Sequence, residues 1–68
     1  MIKLAIPSVS AMDNNLENAW LTDLRYITWI DFIKDLDNNI LNAVQEFPGT
    51  IITFKTEQAK IMFILRWS

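Results

Sequence analysis

Cysteine and histidine are both missing from this 68-residue sequence, and glycine occurs once. Without cysteine, no disulfide can stabilise the chain, and a reducing compartment is compatible with it. Zinc sites of the usual kind need cysteine or histidine, so their absence excludes such a site. A single glycine leaves no Gly-rich loop to cradle a phosphate. We therefore expect no metal and no cofactor.

Histidine and cysteine are also the side chains most often used as base and nucleophile near neutral pH, so their absence argues against an enzyme. A carboxylate pair is the remaining candidate, because Asp31 and Asp35 lie four residues apart on a predicted helix. Acidic residues at this spacing are typical of a solvated helix face. The sequence therefore predicts no catalytic residues.

One acidic spacing resembles part of a calcium-binding loop. Asp35, Asp37 and Asn39, followed by Glu46, match four ligand positions of such a loop. The loop needs glycine at its sixth position for a sharp turn, and Ile40 stands there. Apolar residues also keep helical spacing through this segment, so we expect a helix and no calcium site.

The apolar content is unusually high for so short a chain. Hydrophobic residues make up 51% of it, among them three tryptophans, four phenylalanines and one tyrosine. A chain of this size buries only about 60% of the surface that its unfolded form exposes. The surplus predicts either an oligomer or an exposed apolar recognition face.

Charge is distributed unevenly although the net charge is only −2. Residues 11–47 hold seven of the eight acidic residues, whereas four of the six basic residues lie outside them. This pattern is typical of helices with an acidic solvated face. Alternatively, it steers self-association or the choice of partner.

No segment predicts membrane insertion or export. The longest apolar run, Ile61 to Leu65, is far shorter than the ~20 residues that span a bilayer. Residues 1–7 contain one lysine and too short an apolar run for a signal peptide. We expect a cytoplasmic protein without a membrane partner.

The first half of the chain predicts a strand and a helix. Residues 2–6 favour a strand that ends at Pro7 or lies at a sheet edge, because proline lacks a ladder donor. Residues 8–12 then predict a connector. Residues 13–15 are N-cap candidates for an amphipathic helix over 14–27.

The helix predicted most clearly covers residues 29–46, with Thr28 as its N-cap. Its apolar stripe recurs at spacings of three and four and consists of Trp29, Ile33, Leu36, Ile40, Val44 and Phe47. Whether Thr28 separates two helices or lies inside one helix over 14–46 stays open.

The C-terminal third predicts a turn, a strand and a helix. Pro48-Gly49 ends the preceding helix, and the β-branched and aromatic character of residues 50–55 favours a strand. Thr56 predicts the start of a helix. Residues 60–67 fit helix or strand, and the one-sided spacing of their apolar positions favours a helix.

The resulting order is β-α-α-β-α, an α+β (small α/β) fold in a single domain spanning residues 1–68. A helical crossover between two strands favours parallel neighbours. A short two-stranded sheet cannot stand alone in water, so helices must cover it or a second copy must complete it. We expect a homodimer that pairs through strand edges or apolar helix faces.

Four residues are the candidate interface. Trp, Tyr and Arg are enriched in binding hot spots. Tyr26, Trp29 and Trp67 lie near predicted helix ends, where full burial is hardest, and Arg66 adjoins Trp67. Core packing is the alternative role of the tryptophans. Near the C-terminus, basic residues are interleaved with aromatic ones, a pattern that proteins binding single-stranded nucleic acid also show. The negative net charge nevertheless makes nucleic acid an unexpected partner.

Residues 52–67, ITFKTEQAKIMFILRW, resemble the ending of many small, mostly uncharacterised tailed-phage proteins. Those often close with a strand, a Thr/Ser-Glu-x-Ala helix start and a Phe-x-Leu-Arg/Lys-Trp tail. The similarity covers 16 of 68 residues and brings no catalytic or ligand residues with it. It implies a phage-encoded accessory protein that binds and redirects a host protein in the bacterial cytoplasm.

The leading hypothesis is thus a small, non-catalytic protein-interaction module, a modulator of a host protein if the chain is phage-encoded. A self-assembling structural subunit is the main alternative. A nucleic-acid accessory protein comes third.

Overall fold

The computed structural model describes residues 2–23 and 25–68. The strands and helices in these ranges follow each other as β1 (Ile2–Pro7), α1 (Ala11–Leu21), α2 (Trp29–Asp35), β2 (Ile40–Glu46), β3 (Gly49–Phe54) and α3 (Glu57–Trp67). Helices that accompany an antiparallel sheet confirm the predicted α+β class. The predicted β-α-α-β-α order is wrong, because a strand follows α2.

β3 is the central strand, and it pairs antiparallel with β1 on one side and β2 on the other. β1 and β2 therefore run in the same direction, as expected for strands joined by a helical crossover. The tight β2–β3 turn reverses the chain, so β3 lies between β1 and β2 and runs antiparallel to both. The predicted sheet of two parallel neighbours is wrong for this reason. Pro7 ends the edge strand β1, as predicted.

The predicted helix over residues 29–46 is wrong beyond Asp35. The side chain of Asp37 accepts a hydrogen bond from the backbone N–H of Asn39 at 2.9 Å. Such local hydrogen bonds compete with the helix and favour a turn. The chain reverses over residues 36–39 and enters β2 at Ile40.

A β-bulge in β2 removes the strict alternation by which a strand is recognised in sequence. Ile40 lies opposite Phe54 and Asn42 lies opposite Thr53, so Leu41 is an extra residue on the β2 side. The inward-facing residues Ile40 and Ala43 are consequently three positions apart instead of two. Three is a helical spacing, and the alternation that identifies a strand is lost.

α1 begins earlier than predicted because its N-cap is Ser10, not one of residues 13–15. The Ser10 hydroxyl accepts a hydrogen bond from the backbone N–H of Asp13 at 3.2 Å. Asp13 occupies the first turn, where a negative charge is favourable. The predicted connector over residues 8–12 is therefore shorter, since α1 starts at Ala11.

α1 also ends earlier than predicted, at Leu21 rather than residue 27. The hydroxyl of Thr22 donates to the carbonyl of Ala19 at 2.9 Å. The backbone N–H of Arg25 then donates to the Asp23 side chain at 3.1 Å, which turns the chain. α1 and α2 are two helices separated by residues 22–28, and Leu24, which falls within the helix predicted over 14–27, lies outside the described residues.

Two predicted N-caps are confirmed. The Thr28 hydroxyl accepts from the backbone N–H of Asp31 at 3.3 Å at the start of α2. The Thr56 hydroxyl accepts from the backbone N–H of Ala59 at 3.0 Å at the start of α3. Each bond satisfies one of the donors that a helix N-terminus leaves free.

The core lies between the sheet and the helices, all on one side of the sheet. Its buried side chains come from every strand and helix described: Ile6, Leu16, Phe32, Ile33, Ile40, Ala43, Ile52, Phe54, Ala59 and Phe63. In the strands, the residues that alternate with these buried ones point away from the helices. None of the helices within the described ranges is long and apolar enough to cross a membrane.

Gly49 allows the end of β1 to approach β3 closely. A Cβ placed on Gly49 would lie 2.0 Å from the carbonyl oxygen of Ile6. The next residue beyond β1, Ser8, donates its backbone N–H to the Pro48 carbonyl at 3.0 Å. This contact holds the connector between β1 and α1 against the β2–β3 turn.

Candidate functional site

A groove of about 440 Å³ opens beside α1. We call it the aromatic groove, and it is lined by Ser8, Asp13, Glu17, Trp20, Trp29, Gln45, Gly49 and Thr50. Asp13, Glu17 and Trp20 share one face of α1 because they are spaced by four and three residues. The start of α2 and the adjoining ends of β2 and β3 supply the remaining wall.

Two tryptophans meet in the aromatic groove. The rings of Trp20 and Trp29 pack edge to face, with centroids 5.7 Å apart and planes inclined by 68°. Trp29 in turn packs against the buried Phe32, at 6.1 Å between centroids. Both indoles are half-buried. They are therefore anchored on the core and still accessible from the groove.

The polar edge of each indole is occupied within the protein. Nε1 of Trp29 donates to the Thr50 hydroxyl at 3.1 Å. Nε1 of Trp20 donates to the backbone carbonyl of Tyr26 at 3.3 Å. Because these donors are used internally, the accessible parts of the rings offer π surface rather than hydrogen bonds.

The carboxylates of the groove come from α1. Asp13 is half-buried and accepts from the backbone N–H of Val9 at 3.1 Å, whereas Glu17 is exposed. Neither lysine nor arginine occurs among the described residues that line the groove. The aromatic groove is therefore electronegative.

Val9, next to the groove, has a strained backbone. Its φ is 57°, and its side chain is 85% exposed. A positive φ is a genuine outlier for a β-branched residue. Such strain persists where surrounding contacts impose it, and it concentrates at functional sites. Here it accompanies the hydrogen bond that holds the Asp13 carboxylate.

Tyr26 lies near the aromatic groove without lining it. Its ring packs edge to face on Phe32 with centroids 5.9 Å apart. Its hydroxyl donates to the Asp35 carboxylate at 2.6 Å, and this bond raises the pKa of Tyr26 above its ordinary value. The Arg25 guanidinium lies 5.2 Å from the centre of the ring.

Arg25 also forms a two-point contact with Asp23. Its Nε and Nη2 atoms donate to the Asp23 carboxylate oxygens at 3.0 Å and 2.9 Å. These bonds hold the pKa of Asp23 below its ordinary value and raise the pKa of Arg25. The segment between α1 and α2 is thus fixed by local polar contacts as well as by Trp20.

Trp67 and Arg66 form a separate pair at the end of α3. Trp67 packs on the buried Phe63 with centroids 6.3 Å apart, and the Arg66 guanidinium lies 5.1 Å from the Trp67 ring centre. The side-chain amide of Asn15 donates to the Trp67 carbonyl at 2.9 Å. Of the four candidate interface residues, the structure brings Tyr26 and Trp29 together around Phe32 and places Arg66 and Trp67 elsewhere.

Sequence reasoning missed most of the groove. Asp13, Glu17 and Trp20 were identifiable, because their spacing puts them on one helix face. Gln45 and Thr50 had no such signal, since their position depends on the β2–β3 pairing, in which they lie opposite each other.

The acidic residues around the end of α2 do not form a calcium-binding loop. Ile40, at the sixth position of that loop, is the first residue of β2 and is buried in the core. Among the residues described, no group of three or more Asp, Glu, His or Cys side chains is placed to hold a metal ion.

Comparison with known proteins gives no relative: no family model matches this chain, and neither a curated protein nor a solved structure matches it significantly. The resemblance of residues 52–67 to tailed-phage proteins therefore stays a prediction.

Proposed function

We propose that this protein is a non-catalytic interaction module that binds a basic segment of a partner protein in the aromatic groove. The observation that carries the proposal is the meeting of two indoles and two carboxylates, Asp13 and Glu17, in one accessible groove. The partner segment inserts a lysine or arginine side chain between the indole rings and the carboxylates.

The chemistry of the groove favours a cationic side chain. The face of tryptophan is the strongest aromatic acceptor of a cation, and the attraction grows as water is excluded. The carboxylates of Asp13 and Glu17 complement the same charge. The aliphatic stem of lysine or arginine meanwhile covers the apolar part of the indole rings.

The size of the groove favours a side chain or a short segment as its occupant. Its volume of about 440 Å³ falls at the lower end of the range for ligand pockets. An inserted side chain of this kind acts as a binding hot spot, around which weaker contacts exclude water. The excess of acidic residues over residues 11–47 steers a basic partner toward the groove.

The partner proposed is a bacterial host protein, met in the cytoplasm. The resemblance of residues 52–67 to small tailed-phage proteins supports this part of the proposal. Binding and redirecting a host protein requires an accessible recognition groove, and it requires no catalytic residues.

Capture from a bacterial lysate tests the proposal when two matched variants are compared. Glu17→Gln removes a charge from the groove, and Asn18→Lys raises the net charge by the same amount on a neighbouring exposed residue outside it. A contact worth about 1 kcal/mol changes affinity roughly fivefold. We expect Glu17→Gln to capture measurably less of a specific protein whose capture Asn18→Lys leaves unchanged.

Peptides from the captured protein then identify the segment that binds, by the change in tryptophan fluorescence on titration. We expect the binding segment to contain lysine or arginine and to lose affinity when that residue is replaced by glutamine. Equal capture by Glu17→Gln and Asn18→Lys, or binding through an acidic segment, would contradict the proposal.

A further inference from the structure

The face of the sheet that points away from the helices is open. We call it the outer face; from β1 to β3 to β2 its rows are Lys3–Thr53–Asn42, Ala5–Ile51–Val44 and Pro7–Gly49–Glu46. Within the described ranges, the helices contribute their buried residues to the opposite side. Ile51 lies at the centre of the outer face, with apolar neighbours on both sides.

Further apolar groups adjoin the outer face. Phe47, in the β2–β3 turn, is 98% exposed, and Leu41 of the bulge is 60% exposed. A cavity of about 130 Å³ lies at the β2–β3 turn end of the sheet, lined among others by Ala5, Phe47 and Ile51, whereas Leu41 lies at the other end of β2. Exposed apolar groups that adjoin one another, as those around this cavity do, mark interaction sites in soluble proteins.

We propose that two copies of this chain dimerise by stacking their outer faces about a two-fold axis, with Ile51 packed on Ile51 of the partner subunit. This self-association is independent of the aromatic groove, which lies on the helical side of the sheet. It leaves the groove of each copy accessible.

The charges of the outer face specify a second copy as the occupant. Lys3 and Glu46 lie at diagonally opposite corners, on different edge strands and at opposite ends of the sheet. Consider a two-fold axis that lies between the two stacked sheets, parallel to them and perpendicular to the Lys3–Glu46 diagonal. Rotation about this axis places each Lys3 over Glu46 of the partner subunit. Because a two-fold interface must be complementary to itself, one positive and one negative corner satisfy it with two ion pairs.

The separation of stacked sheets permits these pairs. Packed sheets lie ~10 Å apart, a gap that extended lysine and glutamate side chains bridge together. The diagonal arrangement makes the strands of the two copies cross steeply, as in orthogonal sheet packing. Apolar residues around Ile51 fill the space between the charged corners.

Edge-to-edge pairing is the less favourable mode. β2 carries the bulge at Leu41, and β1 ends in Pro7. Bulges and prolines on edge strands are devices that prevent two sheets from joining. Stacking of faces is thus the proposed alternative to the pairing of strand edges expected from the sequence.

The area of the outer face sets the expected affinity. Strands ~4.8 Å apart with a rise of ~3.4 Å per residue make a face of roughly 14 Å by 20 Å. An interface of this footprint belongs to the small, transient class. We therefore expect a reversible dimer that forms in the micromolar range or above.

Charge reversal at the corners tests the proposal by sedimentation velocity and light scattering. Lys3→Glu and Glu46→Lys each create repulsive pairs with an identical copy. The dimer dissociation constant of each variant alone should therefore exceed that of the wild type by at least about tenfold. Mixing the two variants restores both ion pairs. The mixture should therefore form a heterodimer, as the double variant should form a homodimer.

Two further variants assign the face. Val44→Lys places a charge beside Ile51, in the middle row of the outer face, and should abolish the dimer. Leu65→Lys, at a 75% exposed position on α3, should leave it unchanged. Recovery of the dimer on mixing shows that each single variant is folded.

Several outcomes would overturn the proposal. They are a wild-type protein that stays monomeric at about 0.5 mM, a mixture of Lys3→Glu and Glu46→Lys that stays monomeric, and a dimer broken by Leu65→Lys but not by Val44→Lys. The last outcome would move the interface to the helical side.

Discussion

Trp29 and Thr50 are joined by a hydrogen bond from the indole Nε1 to the threonine hydroxyl at 3.1 Å. Thr50 is only 3% exposed and is the buried polar residue in the described part of the core. The bond fixes the first residue of α2 on the central strand β3. It also orients the indole that, with Trp20, forms the aromatic part of the groove.

Thr50→Val should destabilise the protein, because the Trp29 indole then loses its hydrogen-bond acceptor. We expect the free energy of unfolding to fall by about 1–2 kcal/mol, measured by urea denaturation. Thr53→Val is the matched control, since Thr53 is half-buried on the outer face. It should change the stability by less than about 0.5 kcal/mol.

The contribution of the Trp29–Thr50 hydrogen bond can be isolated with Trp29→Phe, which keeps an aromatic ring and removes the donor. Trp29→Phe and the double variant Trp29→Phe/Thr50→Val complete a double-mutant cycle. If the bond stabilises the fold, Thr50→Val costs less in the Trp29→Phe background. Equal costs in both backgrounds would show that the hydrogen bond contributes nothing.

Val9→Asn should stabilise the protein by relieving the backbone at φ 57°. Asparagine tolerates the left-handed region, whereas a β-branched side chain is strained there by about 1–2 kcal/mol. The free energy of unfolding should rise by about 1 kcal/mol, measured by chemical denaturation. The side chain is exposed, so no packing is lost.

Val9→Ala is the control for side-chain shape, because it removes the branch and keeps a Cβ. Its stability should fall between those of the wild type and Val9→Asn. A Val9→Asn protein no more stable than the wild type would refute the expected strain.

Tyr26 should ionise at a higher pH than its ordinary pKa of 10.0, chiefly because its hydroxyl donates to Asp35. Ionisation removes the donated proton and puts two negative charges together. Tyr26 is the single tyrosine in the sequence, so the ultraviolet absorbance of tyrosinate reports its titration alone. Asp35→Ala should lower the pKa of Tyr26, and Asp31→Ala on the same helix should not.

The sign of the linked stability follows from the raised pKa. A tyrosine whose pKa is higher in the folded state stabilises the fold at pH values below its unfolded pKa. This contribution is lost as the pH rises through the folded pKa. Tyr26→Phe should therefore lose stability at neutral pH and flatten this part of the alkaline dependence; an unchanged alkaline profile would contradict the role of the bond.

Elements fixed by neighbours in sequence were predictable. Pro7 ended an edge strand because it has no N–H to donate. Thr28 and Thr56 capped helices because each hydroxyl accepts a hydrogen bond from the backbone N–H three residues later. The strand over residues 50–55 followed from its β-branched composition. Each of these features depends on bonds or steric limits within a few residues.

The second half of the predicted long helix failed because two residues of its apolar stripe do not face the core. Val44 lies on the outer face of the sheet and Phe47 is exposed in the β2–β3 turn, while the bulge at Leu41 removes the alternation that would have indicated a strand. β3 needs hydrogen-bond partners along its second edge, and the β2–β3 pairing supplies them. The Asp37-Asn38-Asn39 sequence was the local signal of a turn, and it competed with a longer apolar stripe.

The sequence by itself determined that the chain has no disulfide or zinc chemistry of the usual kind and where two of its helices begin, one of them at Trp29. These conclusions depend on residue identity and local bonding. Only the tertiary structure decided that Trp20, Trp29 and two carboxylates share a groove, and that Lys3 and Glu46 occupy opposite corners of one face. Both arrangements follow from the register of β3 between β1 and β2, which long-range hydrogen bonds and core packing select.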